Sequence, residues 1–243
     1  ISQHNITVVP LTIMIDNTVY IDGETITRDD FMDEMAAAQN LPKTSQPAVG
    51  TFADVFDKLT ADGSEVLAIH MTETISGTVN SSRQAAQIAK GKVTVIDSQF
   101  TDRAMAFQVL VAAEMAEAGK DMKTILDKLE QVRDNTTLVL GVTNLDNLVK
   151  GGRLSRVSGL ISSFLNIKVI LQLQNGELKA LRKGRGMKTI NNFIAETIAK
   201  MAKLSNIKSV GISTAGAKEL GEDIGRRIAE VLPSVPILVR PTD

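Results

Sequence analysis

Hydroxyl-bearing residues occur at two expected helix entrances, and their types and spacing suit the binding of an anion. Ser76-Gly77-Thr78 follows the apolar run 66–69. The second group lies in segment 43–47, Lys-Thr-Ser-Gln-Pro, where we expect Pro47 to be the first helical residue. Backbone N–H groups and hydroxyls at such entrances point toward whatever lies above the helix. The pattern therefore predicts a two-sided anion clamp.

Each half of this clamp also has an ordinary structural explanation. Ser, Gly and Thr are common helix-capping residues, and proline is common in the first turn of a helix. The two halves gain weight together because both are expected at the same edge of one sheet. Asp97, at the end of a predicted strand, is either a general base or a loop organiser, and no neighbouring acid or base supports catalysis.

Composition argues against several other functions. The chain of 243 residues has no cysteine, which excludes disulfides and thiolate catalysis and suits a cytoplasmic protein. His4 and His70 have no carboxylate or cysteine at ligand spacing, so we expect no metal. No nucleophile elbow, Walker loop or dinucleotide-binding glycine motif follows a predicted strand, so we expect no cofactor and no catalytic residue. A net charge of -1 and 3% aromatic residues argue against nucleic acid. No signal peptide or membrane span is evident, and transient membrane contact remains open.

The first part of the chain alternates between predicted strands and helices, which indicates a parallel sheet with helices on both faces. Thr27 and Asp30 form a capping box at the start of one helix. In such sheets ligands lie beyond the carboxyl ends of the strands. The predicted elements are an edge strand or a bent strand over 4–15, helix 28–38, a loop over 40–47, a helix from Val49 to near Gly63, strand 65–70, helix 79–89, strand 93–96, and helices 101–118 and 122–133.

The pattern of predicted strands and helices changes after Asn135. Asn175-Gly176 is the strongest short-range hairpin signal in the sequence, and it separates two predicted strands. The predicted elements there are strands 136–142, 168–173, 178–183, 208–213 and 237–239 and helices 187–202 and 217–231. The predicted fold class is α/β with two domains. Residues 1–134 form an α/β/α parallel-sheet domain carrying the hydroxyl loops, and residues 135–243 form an α+β domain with a mixed sheet.

Two basic motifs have more than one interpretation. Arg153 follows a glycine pair, and Arg185 lies in Lys-Gly-Arg-Gly at the end of the predicted hairpin. Each is either a solvated arginine beside a helix or strand end, or a cation facing an acidic group or a partner. A group of apolar residues either lines a ligand channel or belongs to the hydrophobic core, and the core is the default interpretation. These residues are Leu160, Ile161, Phe164, Leu165 and Ile167.

Taken together, these motifs resemble the DegV family, which includes the fatty-acid-binding subunits of bacterial fatty acid kinase. The resemblance covers nearly all of the chain, and its order and spacing make it specific. The motifs are Asn-Ile-Thr-Val-Val-Pro-Leu at 5–11, Lys-Thr-Ser-Gln-Pro at 43–47, Ser-Gly-Thr at 76–78, Val-Ile-Asp-Ser at 95–98, Lys-Gly-Gly-Arg-Leu at 150–154 and Leu-Asn-Ile-Lys at 165–168.

The resemblance implies a non-catalytic protein that binds a long-chain fatty acid, with the tail in an apolar tunnel between the domains. The carboxylate ligands would be the hydroxyls of Thr44 or Ser45 and of Ser76, assisted by the Gly77 N–H. A separate kinase would then use ATP to convert the presented acyl group to acyl-phosphate. By the same resemblance, Arg153 would lie at the pocket mouth and Arg185 at the contact with the kinase.

The sequence departs from the family pattern at both ends. The resemblance implies an N-terminal strand with a Thr-Asp-Ser-like motif before Asn5 and a histidine loop beyond Asp243, and trimming of a longer chain is the expected reason for their absence. A different class of function remains an alternative, an enzyme acting on a small carboxylated or phosphorylated metabolite at the same site. A regulatory protein with lipid as its signal is a third.

Overall fold

A computed structural model describes residues 4–153, 155, 157–158 and 167–242. The chain divides into two compact units, Ile1–Leu138 with Gln174–Glu177, and Val139–Leu173 with Leu178–Asp243. The domain boundary that the sequence indicates near Asn135 remains a prediction, which limited proteolysis would test.

The first unit begins with an antiparallel sheet and continues into alternating helices and strands. Its elements are β1 (Thr12–Ile15), β2 (Thr18–Ile21), α1 (Arg28–Ala37), β3 (Lys43–Ser45), α2 (Val49–Leu59), β4 (Val66–His70), α3 (Thr78–Ile88), β5 (Val93–Asp97), α4 (Asp102–Glu117) and α5 (Met122–Asp134).

The antiparallel sheet has the order β2-β1-β3 among the described residues, with Thr12 opposite Ile21 and Ile13 opposite Thr44. Strand alternation buries Ile13 and Ile15 of β1 against the α1 side. The predicted strand over 4–15 is wrong in its first part, because β1 begins only after Pro10, which cannot donate to a ladder. The edge-strand alternative is also wrong, since β1 lies between β2 and β3 in the described sheet. The capping box is confirmed, since the Thr27 side chain accepts from the Asp30 N–H.

A second sheet pairs β4 and β5 in parallel, so that Val66 lies opposite Val93 and His70 opposite Asp97. Alternate residues of β4 face opposite layers of helices. Ala68 belongs to a core with α2 and α3, whereas Leu67 packs toward a core that α4 and α5 provide. Helices therefore cover both faces of this sheet, as predicted, and its carboxyl edge leads directly into α3 and α4.

The second unit contains a mixed sheet and a separate parallel pair of strands. Its elements include β6 (Leu138–Val142), whose first residue lies in the first unit, α6 (Asp146–Lys150), β7 (Val157–Ser158), β8 (Ile167–Gln174), β9 (Glu177–Arg185), α7 (Lys188–Met201), β10 (Val210–Thr214), α8 (Lys218–Val231) and β11 (Ile237–Pro241).

The mixed sheet has the order β6-β8-β9-β7 in the part of the chain that is described, and β7 runs parallel to β9. Asn175 and Gly176 connect β8 to β9 with φ of 53° and 75°. Two consecutive left-handed residues define a type I′ turn, so the Asn-Gly hairpin is confirmed. Helix α8 packs on the parallel pair β10 and β11. The fold class is α/β, with a parallel-sheet unit followed by an α+β unit.

Candidate functional site

The entrance of α3 places Ser76 and Gly77 at the carboxyl edge of the β4–β5 sheet. Gly77 is the N-cap residue and no side chain caps the helix. The Ser76 Oγ lies 2.8 Å from the Thr78 Oγ1 and accepts the Thr78 N–H at 3.3 Å. The hydroxyls are therefore ordered at the positive end of the helix dipole, where an anion is favoured.

Gln46 brings the second hydroxyl-bearing segment against this entrance. Its Nε2 donates to the Ser81 Oγ in the first turn of α3 at 3.3 Å. A Cβ placed on Gly77 would lie only 2.6 Å from the same Nε2, so glycine is what permits this close approach. Gln46 therefore joins segment 43–47 to the entrance of α3 within the first unit, and the clamp formed by Thr44 or Ser45 with Ser76 remains a prediction.

The local structure of the second segment differs from the prediction. Thr44 and Ser45 lie in strand β3 and not in a loop, because β3 pairs with β1 in the antiparallel sheet. The expectation that both segments lie at the edge of one sheet is therefore wrong, since the loop with Ser76 follows β4 of the other sheet. Both side chains are exposed. Pro47 is not the first helical residue, since α2 begins at Val49 with Ala48 as its N-cap. This half of the clamp is therefore a strand end that continues into a short connection.

Thr72 organises the loop between β4 and α3. Its N–H donates to the Phe100 carbonyl at 2.8 Å, and its own carbonyl accepts the Ile75 and Ser76 N–H groups at 3.2 and 3.3 Å. The side chain is fully buried, and its Oγ1 donates to the Gly176 carbonyl at 3.4 Å. The position of Ser76 is consequently fixed through Thr72.

Asp97 connects the same loop to the end of β5. One carboxylate oxygen accepts the Glu73 N–H at 3.1 Å, and the other accepts the Gln99 N–H at 2.7 Å. Gln99 has a φ of 60°, a left-handed conformation that this hydrogen bond helps to hold. Of the two interpretations left open by the sequence, these contacts support the loop organiser.

Behind the loops lies a buried polar layer. The Ser98 N–H donates to the His70 carbonyl at 3.0 Å, and the Gln108 Nε2 donates to the Ser98 carbonyl at 2.9 Å. Ser98 and Gln108 are both buried. Since buried polar groups are costly unless hydrogen-bonded, this layer favours one arrangement of the loops.

His70 contributes a neutral ring at the end of β4. Burial is the main cause that lowers the pKa of His70 to about 4, and the charge of the Arg83 guanidinium is a smaller cause. The imidazole contacts the Phe52 ring edge to face, with 5.1 Å between centroids. Its Nε2 is buried without a partner among the described residues. His70 is therefore uncharged at neutral pH.

On the surface, Arg83 joins the loop to α3. Its Nη1 lies 2.6 Å from the Glu73 Oε2 and 3.1 Å from the Asn80 Oδ1. Glu73 and Arg83 are both about half exposed, so the ion pair contributes little to stability in itself. Arg83 is also the charged residue that contributes to the lowered pKa of His70.

Arg153 and Arg185 lie in the second unit. The Arg153 Nη1 donates to the Gly151 carbonyl at 2.7 Å, at the C-terminal end of α6, and Arg185 is exposed at the end of β9. Their predicted roles at a pocket mouth and a partner contact remain predictions. Of the apolar residues proposed for a channel, Ile167 is half-buried in β8, and the others lie outside the described residues: Leu160, Ile161, Phe164 and Leu165.

Chemically, the predicted clamp offers hydroxyl and backbone N–H donors, and the buried polar residues in the described part of the chain include no carboxylate. Such neutral donors suit a carboxylate, whose oxygens accept several hydrogen bonds. In the described part of the chain, His, Asp and Glu side chains form no group of three suited to a metal ion. The sequence argument missed the roles of Gln46 and Thr72, although both lie inside the segments it singled out, because their partners are distant in sequence.

Comparison with solved structures first shows which class of protein shares this fold. The fold matches that of DegV, a fatty acid binding protein from Bacillus subtilis, with 26% identity, a TM-score of 0.89, and coverage of 98% of this chain and 86% of that one. It also matches a fatty acid binding DegV family protein from Streptococcus agalactiae, with 25% identity, a TM-score of 0.87, and coverage of 100% and 87%.

Sequence comparison then gives the family. A DegV domain-containing protein of Streptococcus pneumoniae is 47% identical over 228 residues, which cover 92% of this chain and 81% of that protein. The family model described as "Uncharacterised protein, DegV family" matches residues 1–243. The chain belongs to the DegV family. Within the described residues, no helix combines the length and apolar character needed to cross a membrane.

Proposed function

We propose that this chain binds a long-chain fatty acid and holds its carboxylate with the hydroxyls of Thr44 or Ser45 and Ser76 and with the Gly77 N–H. The observation that carries the proposal is the contact between Gln46 and the entrance of α3, which joins the two hydroxyl-bearing segments. Relatives of the same fold, at 25–26% identity, are fatty acid binding proteins.

The acyl tail and the carboxylate would contribute differently to the binding free energy. Each buried methylene of an acyl tail contributes about 0.8 kcal/mol, so the tail supplies most of the affinity and the head group mainly sets orientation. Neutral donors bind the carboxylate without burying a second charge, which would carry its own desolvation cost. A tail in an apolar tunnel completes the proposed complex.

The direct test is extraction of the purified chain with organic solvent, followed by mass spectrometry of the extract. We expect a long-chain fatty acid, and we expect the delipidated chain to bind added oleate or palmitate. Absence of both a copurifying fatty acid and binding of either probe refutes the proposal. Turnover of a small carboxylated metabolite by the isolated chain, abolished by Ser76→Ala, would support the enzyme alternative instead.

We further propose that this chain presents the acyl group to an ATP-dependent kinase and performs no chemistry alone. Arg153 would lie at the pocket mouth and Arg185 at the contact with the kinase. The exposed cation at the end of β9 is available to an acidic partner surface. Pull-down from a bacterial lysate with the wild-type chain should recover the kinase. Arg185→Glu should lose it, while Lys203→Glu, a charge reversal at another exposed position, should retain it. Equal recovery with both variants contradicts this assignment.

A further inference from the structure

The turn of the β8–β9 hairpin lies against the loop that carries Ser76. Its residues, Gln174–Glu177, belong to the first unit, together with that loop. The Gly176 carbonyl accepts the Thr72 hydroxyl at 3.4 Å. More than a hundred positions separate these residues in the sequence, so this contact is invisible to local sequence patterns.

Gly176 is closely surrounded at this point. A Cβ added to it would lie 3.1 Å from the Thr72 Oγ1, 3.8 Å from the Thr74 Oγ1 and 3.9 Å from the Gln99 Cβ. The neighbours come from both loops at the sheet edge, the one entering α3 and the one following β5. The hairpin turn therefore fills a niche that these loops form together.

Thr72 transmits this contact to the clamp. Its Oγ1 donates to Gly176 and lies 3.5 Å from the Thr74 N–H, while its carbonyl accepts the Ser76 N–H at 3.3 Å. Because Thr72 is fully buried, a lost partner for its hydroxyl cannot be replaced by bulk water without rearrangement. Without this partner the Thr72 side chain no longer anchors the loop, whose backbone carbonyl at Thr72 accepts the Ser76 N–H.

We propose that Thr72 and the hairpin turn at Gly176 are positioning elements for the carboxylate clamp. In this proposal neither residue contacts the fatty acid directly. The Thr72 carbonyl accepts the Ser76 N–H, and the hydrogen bond from the Thr72 hydroxyl to the Gly176 carbonyl anchors the loop at Thr72. This inference rests on the proposed fatty-acid function and adds to it a remote determinant of head-group recognition.

The test compares the affinity of the delipidated full chain for oleate and for oleyl alcohol, which has the same tail and no carboxylate. Thr72→Val keeps the shape and removes the hydroxyl, so oleate affinity should fall about fivefold, the effect of one lost hydrogen bond. Oleyl alcohol affinity should be unchanged, because the tail site is intact. Thr72→Ser, which retains the hydroxyl, should restore oleate binding.

A matched glycine pair tests the turn itself. Gly176→Ala and Gly119→Ala impose similar backbone strain, at φ of 75° and 71°, but an added Cβ meets nothing within 4 Å at Gly119. Only Gly176→Ala should lower the ratio of oleate to oleyl alcohol affinity. Urea unfolding of all variants checks that they remain folded, and Thr72→Val carries the test if Gly176→Ala does not fold.

The outcomes separate the two proposals. If the wild-type chain binds neither probe, the fatty-acid function fails and this inference fails with it. If the wild-type chain binds oleate, and Thr72→Val and Gly176→Ala leave the oleate to alcohol ratio unchanged, the positioning role alone is overturned. An equal loss of affinity for both probes also overturns it, since that result indicates general damage to the fold.

Discussion

Replacement of His70 by glutamine should remove a large part of the acid sensitivity of the folded chain. Burial lowers the pKa of His70 to about 4 from an ordinary value of 6.5, with Arg83 as a smaller cause. Between those pH values the unfolded chain takes up a proton on this ring and the folded chain does not. Stability therefore falls as the pH drops through this window and levels off below it.

The size of the effect follows from the two pKa values, which differ by about 2.5. One pKa unit corresponds to about 1.4 kcal/mol, so His70 should lower the free energy of unfolding by about 3 kcal/mol between pH 7 and pH 4. Carboxylates titrate in the same range, and the comparison of variants separates their contribution from that of the histidine.

Urea unfolding followed by circular dichroism at a series of pH values between 7 and 4.5 measures this contribution. His70→Gln should lose clearly less stability than the wild-type chain over the series. His4→Gln removes the histidine that contacts Glu117 near the surface, and it should retain the loss that His70 causes. Parallel pH profiles for the wild-type chain and His70→Gln would show that the ring is not buried as described.

Further predictions concern packing and buried hydrogen bonds. Gly225→Ala in α8 places a Cβ 2.7 Å from the Val239 Cγ2 and should lower stability by about 1–2 kcal/mol, even after the gain in helix propensity. Its control, Gly50→Ala in α2, meets nothing within 4 Å and should raise stability by about 0.5–1 kcal/mol. Gln108→Leu leaves the Ser98 carbonyl without its buried donor and should cost about 1–3 kcal/mol. Urea unfolding measures all of them, and a stabilising Gly225→Ala or a neutral Gln108→Leu would contradict the packing described here.

Local signals were sufficient for much of the fold. The capping box at Thr27 and the Asn175-Gly176 turn were identified correctly because each depends on residues within a few positions of one another. The alternation of apolar strands with amphipathic helices likewise indicated the helix-covered parallel sheet, since that pattern is repeated along the chain.

The predictions from sequence were wrong where a strand pairs with a segment distant in the chain. Segment 43–45 contains no run of β-branched residues, and it becomes a strand only because β1, about thirty residues earlier in the chain, offers it a hydrogen-bonding edge. The same limit explains why the roles of Gln46 and Thr72 were missed, since Ser81 and Gly176 identify them only in three dimensions. The types of donor were predictable, whereas the contact of Gln46 with the entrance of α3 was not.

The family resemblance supplied what neither spacing nor periodicity contains, namely a long apolar ligand. The hydroxyls of Ser76 and Thr78 alone indicate only an ordered anion site at a helix entrance. Assignment of a carboxylate with an acyl tail depends on membership of the DegV family and on the fatty acid binding proteins that share the fold.

The most direct test of the central claim is the affinity of the delipidated chain for oleate with and without the Ser76 hydroxyl. Ser76→Ala should weaken oleate binding about tenfold or more, because a hydrogen bond to a carboxylate contributes roughly 1.5–3 kcal/mol. Ser64→Ala, a change of the same kind at an exposed turn, should bind like the wild-type chain. If Ser76→Ala and Ser64→Ala both bind oleate as tightly as the wild-type chain, the clamp does not hold the carboxylate.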